Sequence, residues 1–253
     1  MKRLFLYTIF LFILPSLACQ NPFSRQNSRS AEDYKNDGTA KAKQGDLDGA
    51  VADFNKAIEI DPSYAPAYNN RGLVRKDQGD INGALADFSK SIEIDPRDAV
   101  AYYNRGLTRQ DKGDYEGALT DYNKAIEIQP GEADFYYNRG VLWQDKNNPD
   151  RAIADYSRAI EINPRLASAY NNRGNSWEEK GNLDRAINDY VQAIEIDPQA
   201  AKAYFNRGMA LLRQGKDAEA QGDFDRLLVL DSSNKAALDK KIAEVKRERA
   251  IQR

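Results

Sequence analysis

The five residues YYNRG stand at Tyr102–Gly106 and again at Tyr136–Gly140, while YNNRG stands at Tyr68–Gly72 and at Tyr170–Gly174, each copy 34 residues from the last. A catalytic motif is normally written once in a chain, so this recurrence points to a copied structural unit. Working outward from the motif, the sequence from Ala31 divides without insertion into six units of equal length: 31–64, 65–98, 99–132, 133–166, 167–200 and 201–234. Self-similarity at such a period is the mark of a stacked array, in which one supersecondary unit is repeated and neighbours bury each other's apolar faces.

The pattern inside a unit gives its physics. Position 8 is always glycine (Gly38, Gly72, Gly106, Gly140, Gly174, Gly208), and position 20 is always alanine (Ala50, Ala84, Ala118, Ala152, Ala186, Ala220). A glycine inside a helix costs about 1 kcal/mol relative to alanine. Its regular use therefore predicts a neighbouring helix that passes too close for a side chain. Position 24 is aromatic (Phe54, Phe88, Tyr122, Tyr156, Tyr190, Phe224), and position 28 carries isoleucines such as Ile58, Ile92 and Ile126. Pro62, Pro96, Pro130, Pro164 and Pro198, with Ser232 in the last unit, mark where each second helix ends. Proline lacks the amide proton and forces its predecessor out of helical geometry.

These units resemble the tetratricopeptide repeat, a helix-turn-helix, over about four fifths of the chain. The resemblance implies an all-α fold: an α-solenoid, a right-handed superhelix of six repeats closed by a C-terminal capping helix. Residues 235–253, KAALDKKIAEVKRERAIQR, suit that cap. Ala236, Leu238, Ile242 and Val245 lie near helical spacing in an otherwise charged surface, whose seven basic and three acidic residues read as a solvated outer face.

Residues 1–18, MKRLFLYTIFLFILPSLA, have the layout of a secretory signal peptide: Lys2 and Arg3, an apolar run shorter than a bilayer span, then small residues. The lone cysteine, Cys19, follows directly and has no partner for an internal disulfide. LPSLAC resembles the lipobox of bacterial lipoproteins, although Ser16 and Leu17 depart from its usual order, and plain cleavage after Ala18 fits almost as well. The lipobox resemblance implies a membrane anchor through a lipidated Cys19, and Gln20 after it implies the outer membrane, on its periplasmic side, rather than the inner one. Residues 19–30 are then the lipidated cysteine and a polar, flexible tether. Without residues 1–18 the chain has two basic residues fewer than its full 37, against 39 acidic ones, for a net charge of −4. That balance speaks against nucleic acid as a partner.

The opening motif itself holds two further readings. Arg71, Arg105, Arg139, Arg173 and Arg207 fill position 7 of units two to six, unit one has Asp37 there, and position 23 is aspartate in all six. Pairing each arginine with the aspartate of the preceding unit would give Asp53 a partner and leave Lys241 of the cap to serve Asp223, so the expected ion pair crosses every unit boundary. Asn36, Asn70, Asn104, Asn138, Asn172 and Asn206 fill position 6. A row of groups that both donate and accept matches the needs of an extended peptide backbone; equally, each amide can tie down a neighbouring helix end or carbonyl.

By resemblance, the first helices line the concave face, and the row is similar to the asparagine ladder of repeats that bind peptides independently of side chain. The same carry-over puts Tyr103 and Tyr137, with Leu107 and Val141, in an aromatic and apolar middle of the groove. It puts Asp77, Asp111, Asp145 and Glu179 along an acidic edge that favours a partner segment bearing Lys or Arg. The pattern does not resemble the carboxylate clamp of chaperone-binding repeats: Lys35 fits, but Thr39 and Val100 do not.

Catalysis has little support. The chain has no histidine, and nearly all its carboxylates recur at repeat positions. The sequence therefore predicts a non-catalytic, cofactor-free adaptor that is tethered to the cell envelope and captures a peptide segment of another protein. The alternative is a structural or self-associating array that helps assemble envelope complexes, such as pilus or secretion machinery or cell-wall enzymes, without groove capture. The partner, the pathway and the oligomeric state are not written in the sequence.

Overall fold

The computed structural model describes residues 29–233 and 235–251; the signal-like segment, Cys19 and most of the tether lie outside the described residues. The described residues form helices and turns only. Each unit is a hairpin whose first helix begins at the first residue of the unit: α1 (Ala31–Lys43), α3 (Ala65–Asp77), α5 (Ala99–Asp111), α7 (Ala133–Asp145), α9 (Ala167–Glu179) and α11 (Ala201–Arg213). The second helices are α2 (Leu47–Ile60), α4 (Ile81–Ile94), α6 (Tyr115–Ile128), α8 (Pro149–Ile162), α10 (Leu183–Ile196) and α12 (Asp217–Leu230), and α13 (Lys235–Ile251) closes the array. None of them is long and apolar enough to cross a membrane.

Local chemistry sets the boundaries. The turn inside five hairpins is made by a glycine with positive φ, such as Gly45 at 84°, while unit four uses Asn147 at 52°. Asparagine is the non-glycine residue that tolerates this region best. The next helix is capped by Asp46, Asp80 or Asp114 in units one to three, each accepting a bond from a glycine amide three residues on, and by Asn148 or Asn182 in units four and five. Such caps satisfy amides that have no partner inside the helix and are worth about 1 kcal/mol each. The second helix then stops one residue before the residue preceding the proline, as at Ile60, Asp61 and Pro62.

Within a hairpin the position-8 glycine faces the position-24 ring. A Cβ on Gly38 would lie 2.8 Å from Phe54 Cε1, and one on Gly106 would lie 2.9 Å from Tyr122 Cε1. The close neighbour predicted from the glycines is thus the aromatic ring of the partner helix. The alanines at position 20 are fully buried, at 0% exposure in all six units.

Hairpins stack through a second pair of small residues. Position 27 is Ala57, Ser91, Ala125, Ala159 and Ala193 in units one to five, and position 3 of the following unit is Ala67, Ala101, Ala169 or Ala203; all are at most 1% exposed. The exception at position 3 is Phe135, whose ring is buried against Ala99 and Ala125. Accordingly α6 and α7 are the least intimate of the consecutive helix contacts between hairpins. First helices also touch the first helices of the next unit, whereas no comparable contact joins second helices. The array therefore curves with its first helices on the inner wall.

The arginines correct the sequence reading. Arg71 binds Asp87, Arg105 binds Asp121, Arg139 binds Asp155, Arg173 binds Asp189 and Arg207 binds Asp223, each in its own unit, with Nη2 to Oδ1 distances of 2.6–2.7 Å. Both Nε and Nη2 are engaged, which makes a two-point clasp across the hairpin seam. The boundary is crossed by Nη1 instead, which reaches back to the preceding unit at Asn55, Ser89, Asn123 and Ser157. In unit one Lys41, one turn further along α1, takes Asp53 at 2.7 Å, and Lys241 pairs with Glu244, not with Asp223. Counting Asp37 as a gap overlooked that a basic residue at position 11 reaches the same carboxylate.

The cap buries Leu238 and Val245 against Met209, Leu212 and Phe224, and Arg249 donates to the Leu212 carbonyl and to Asp217. Ala236 is exposed. The helix lies along α11 and approaches α12 far less closely than the first helix of any other unit approaches its predecessor.

Candidate functional site

The inner wall brings the predicted row together, and it shows what each amide does. Asn70 Nδ2 donates to Thr39 Oγ1, Asn104 to Asn69 Oδ1, Asn138 to Tyr103 Oη, Asn172 to Tyr137 Oη, and Asn206 to Asn171 and Asn175 Oδ1, at 2.8–3.3 Å. Asn36, with no unit before it, accepts from Lys35 Nζ at 2.7 Å. From unit two onward each amide therefore stitches its first helix to the one before, most often through the position-5 side chain. Asn104 is buried in this seam, while the others stay partly exposed or, at Asn36, fully so.

Tyr103 and Tyr137 are half-buried. The Tyr103 ring packs 4.8 Å from Phe135 and 6.0 Å from Tyr122, and Tyr137 lies 5.8 Å from Tyr156. Burial, and behind it the charge of Asp134, pushes the Tyr103 phenol up to about 12, so it remains a neutral acceptor for Asn138 at ordinary pH.

The acidic row Asp77, Asp111, Asp145 and Glu179 is exposed at the C-terminal ends of the first helices. Lys76 pairs with Asp111 at 2.8 Å, whereas Asp145 and Glu179 accept at 3.2 Å from the neutral amides of Gln110 and Gln144. A neutral donor orients a carboxylate without cancelling its charge. The glutamines are themselves held from behind, because Tyr122 Oη donates to Gln110 Oε1 at 2.8 Å and Tyr156 Oη to Gln144 Oε1 at 3.0 Å. In units three and four the core tyrosine, the glutamine and the next unit's acid thus form a fixed chain from core to wall. The sign reverses one unit later, where Arg213 occupies the acid's place and pairs with Glu178.

Sequence reasoning did not single out the C-terminal end of this wall. Asn171, Asn175 and Phe205 stand there beside Asn172 and Asn206 and line a pocket of about 630 Å³. The signal was legible as a departure from pattern: unit five has Asn171 and Asn175 at the positions where units three and four have Tyr103 and Tyr137, and Leu107 and Val141. Among the described residues no group of three or more metal-binding side chains is gathered at one place.

A family model described as TPR repeat matches residues 38–79, 74–113, 109–147 and 179–215, and two further tetratricopeptide models match residues 133–166 and 201–234. The chain belongs to the tetratricopeptide-repeat family. Among solved structures, MamA is 30% identical over 65% of this TPR chain and 96% of its own, with a TM-score of 0.60. YrrB, described as a TPR protein with an unusual peptide-binding site, is 27% identical over 74% of this chain and 97% of its own, with a TM-score of 0.63. PilF of Pseudomonas aeruginosa covers 86% of this chain and 97% of its own at a TM-score of 0.74, and at 20% identity it supports the fold alone. A search of curated protein sequences returned no match. Fold and relatives make this TPR chain a protein-interaction scaffold.

Proposed function

We propose that the scaffold is held at the cell envelope through Cys19 and captures an extended, basic segment of a partner protein along its inner wall. The observation that carries this reading is the exposed row Asp111, Asp145 and Glu179, two of whose members are oriented by neutral glutamines and so keep their charge. A pre-oriented row of one sign steers and registers a complementary chain. The half-buried tyrosines beside it supply rigid aromatic surface of the kind that dominates binding energy. YrrB supports peptide binding as a use of this architecture. The asparagines enter as the seam that holds the wall in register, with their unengaged polar atoms left for the partner. That engagement favours a second reading, an array that assembles envelope complexes without groove capture.

Charge separates the two readings. The triple variant Asp111→Lys, Asp145→Lys, Glu179→Lys should lose at least tenfold in affinity for partners cross-linked from envelope extracts and keep its helicity. Reversal of Glu93, Glu127 and Glu161, exposed acids on second helices, should change little. Equal binding by both variants would remove the groove from the function. Fatty-acid labelling that Cys19→Ser abolishes would support the tether, and labelling unaffected by Cys19→Ser would refute it.

A further inference from the structure

The last hairpin is built differently from the five before it, and the difference opens a site. In units one to five, position 27 is alanine or serine, and the next first helix lies against it through its position-3 residue. Unit six has Leu227 at position 27. Beside it α13 stands off α12, and Ala237, which occupies the place of the buried Ala67, Ala101, Ala169 and Ala203, is exposed and lines a pocket of about 630 Å³ together with Leu227 and Leu228. Phe205 and Leu238 complete the apolar lining. The volume is in the range of ligand sites, roughly 300–1,000 Å³. It suits one or two side chains and is too small for a helix.

The other wall of the same pocket is amide: Asn171, Asn172, Asn175 and Asn206. The Oδ1 of Asn206 accepts no bond among the described residues, because only its Nδ2 is engaged. Asn175 and Asn206 also line the neighbouring cleft that contains Glu179 and the Glu178–Arg213 pair, so the pocket adjoins the C-terminal end of the acidic row. The lining also carries Lys202, Asp231 and Lys241, the last paired with Glu244. With Glu178 taken by Arg213, Glu179 leaves the cleft side net negative, whereas charges of both signs balance on the other side, so a basic chain is drawn out past Glu179.

We infer that this pocket is the anchor site of the groove: it takes a large apolar side chain of an extended partner segment whose Lys or Arg residues lie to the side of Glu179 and Asp145. The inference rests on the groove reading above and adds where the segment is pinned and on which side of that point its basic residues lie.

The test uses the full mature chain and a biotinylated probe peptide, Gly-Ser-Bpa-Gly-Ser-Lys-Gly-Lys-Gly-Ser, in which Bpa is the photoreactive p-benzoylphenylalanine. The reversed sequence and a version with Ala in place of Bpa serve as controls. In one of the two orientations, cross-links should fall on residues of α11, α12 and α13 around the pocket, and the Bpa peptide should bind at least tenfold more tightly than the Ala peptide. Ala237→Trp, which fills the pocket from an exposed position, should erase that tenfold difference and leave binding of the Ala peptide unchanged. Leu227→Ala, which restores the small residue of the other units and removes apolar lining from the pocket, should do the same. The pair Asp145→Lys, Glu179→Lys should weaken both peptides.

Cross-links spread along α5 to α9, or an undiminished advantage in both pocket variants, would overturn the anchor and leave the groove reading standing. Insensitivity of both peptides to the charge reversal would overturn the groove reading itself. Sedimentation as a dimer that Ala237→Trp dissociates would give the pocket to a second copy and overturn the proposal.

Discussion

At the scale of single residues, the aspartate at position 23 shows how one buried charge is served by different neighbours. Asp87 and Asp121 are held by two arginines each, Arg71 with Arg75 and Arg105 with Arg109. Asp155 and Asp189 have only the position-7 arginine, because Trp143 and Trp177 replace the second and stack instead under Arg151 and Arg185 at 4.5 Å. Among the described residues Asp53 has only Lys41, and its Oδ2 makes no hydrogen bond of good geometry although the ammonium lies 2.7 Å away. Asp37 stands where the clasping arginine would be. A fork of guanidinium donors satisfies both carboxylate oxygens in a way a point charge does not. Asp37→Arg is therefore expected to stabilise the first unit by about 1–2 kcal/mol, read as a later urea midpoint and slower amide exchange in α1 and α2. No gain would mean that the geometry of the later units does not extend to the first.

At the scale of elements, the joint between units three and four is set by one ring. Phe135 occupies the position that is alanine in units two, three, five and six, and it sits over Ala125, the small residue of the preceding helix. Truncating a buried phenylalanine costs about 3–5 kcal/mol when the cavity stays open. Here the replacement residue is the one the other joints use, so α7 can settle onto α6 and recover contact. Phe135→Ala is expected to cost less than about 2 kcal/mol in denaturant unfolding and to strengthen amide protection in α6 and α7. A loss in the full range for phenylalanine would show that the wider joint is imposed by something other than the ring. The position-3 exception was visible in the sequence, but its effect was not, because the pairing of position 3 with position 27 of the preceding unit is a fact of stacking.

At the scale of the whole molecule, the array is a line of hairpins whose stability is shared between neighbours, and its middle carries a titratable core. Burial holds the phenols of Tyr122, Tyr156 and Tyr190 well above their ordinary value, and that of Tyr103 up to about 12. Below pH 10 the folded and unfolded chains both keep these protons, and the stability they allow is fully present. Above pH 10 the unfolded phenols ionise first, the unfolded chain binds fewer protons, and stability falls as the pH rises through 12. The expected outcome is a steep loss of Tm between pH 10 and 12, shallower in Tyr122→Phe, Tyr156→Phe, Tyr190→Phe, a substitution the array already tolerates as Phe54, Phe88 and Phe224. Equal slopes in wild type and variant would place the alkaline loss in the lysine pairs instead.

The sequence alone determined the repeat architecture and which small and aromatic residues pack inside each hairpin, because a strict period leaves one way to align glycine, alanine and aromatic at fixed offsets. It also named the amides, tyrosines and acids that the structure puts on one wall. Tertiary structure decided who bonds whom. Arginine and aspartate 16 apart in a unit and 18 apart across a boundary recur with equal regularity, so periodicity cannot tell an Arg–Asp clasp within a hairpin from one between hairpins. Only the antiparallel crossing of the two helices selects the first. It likewise decided that the amides serve the seam and that the last helix stands off its neighbour, since both depend on which side chains meet across a stack.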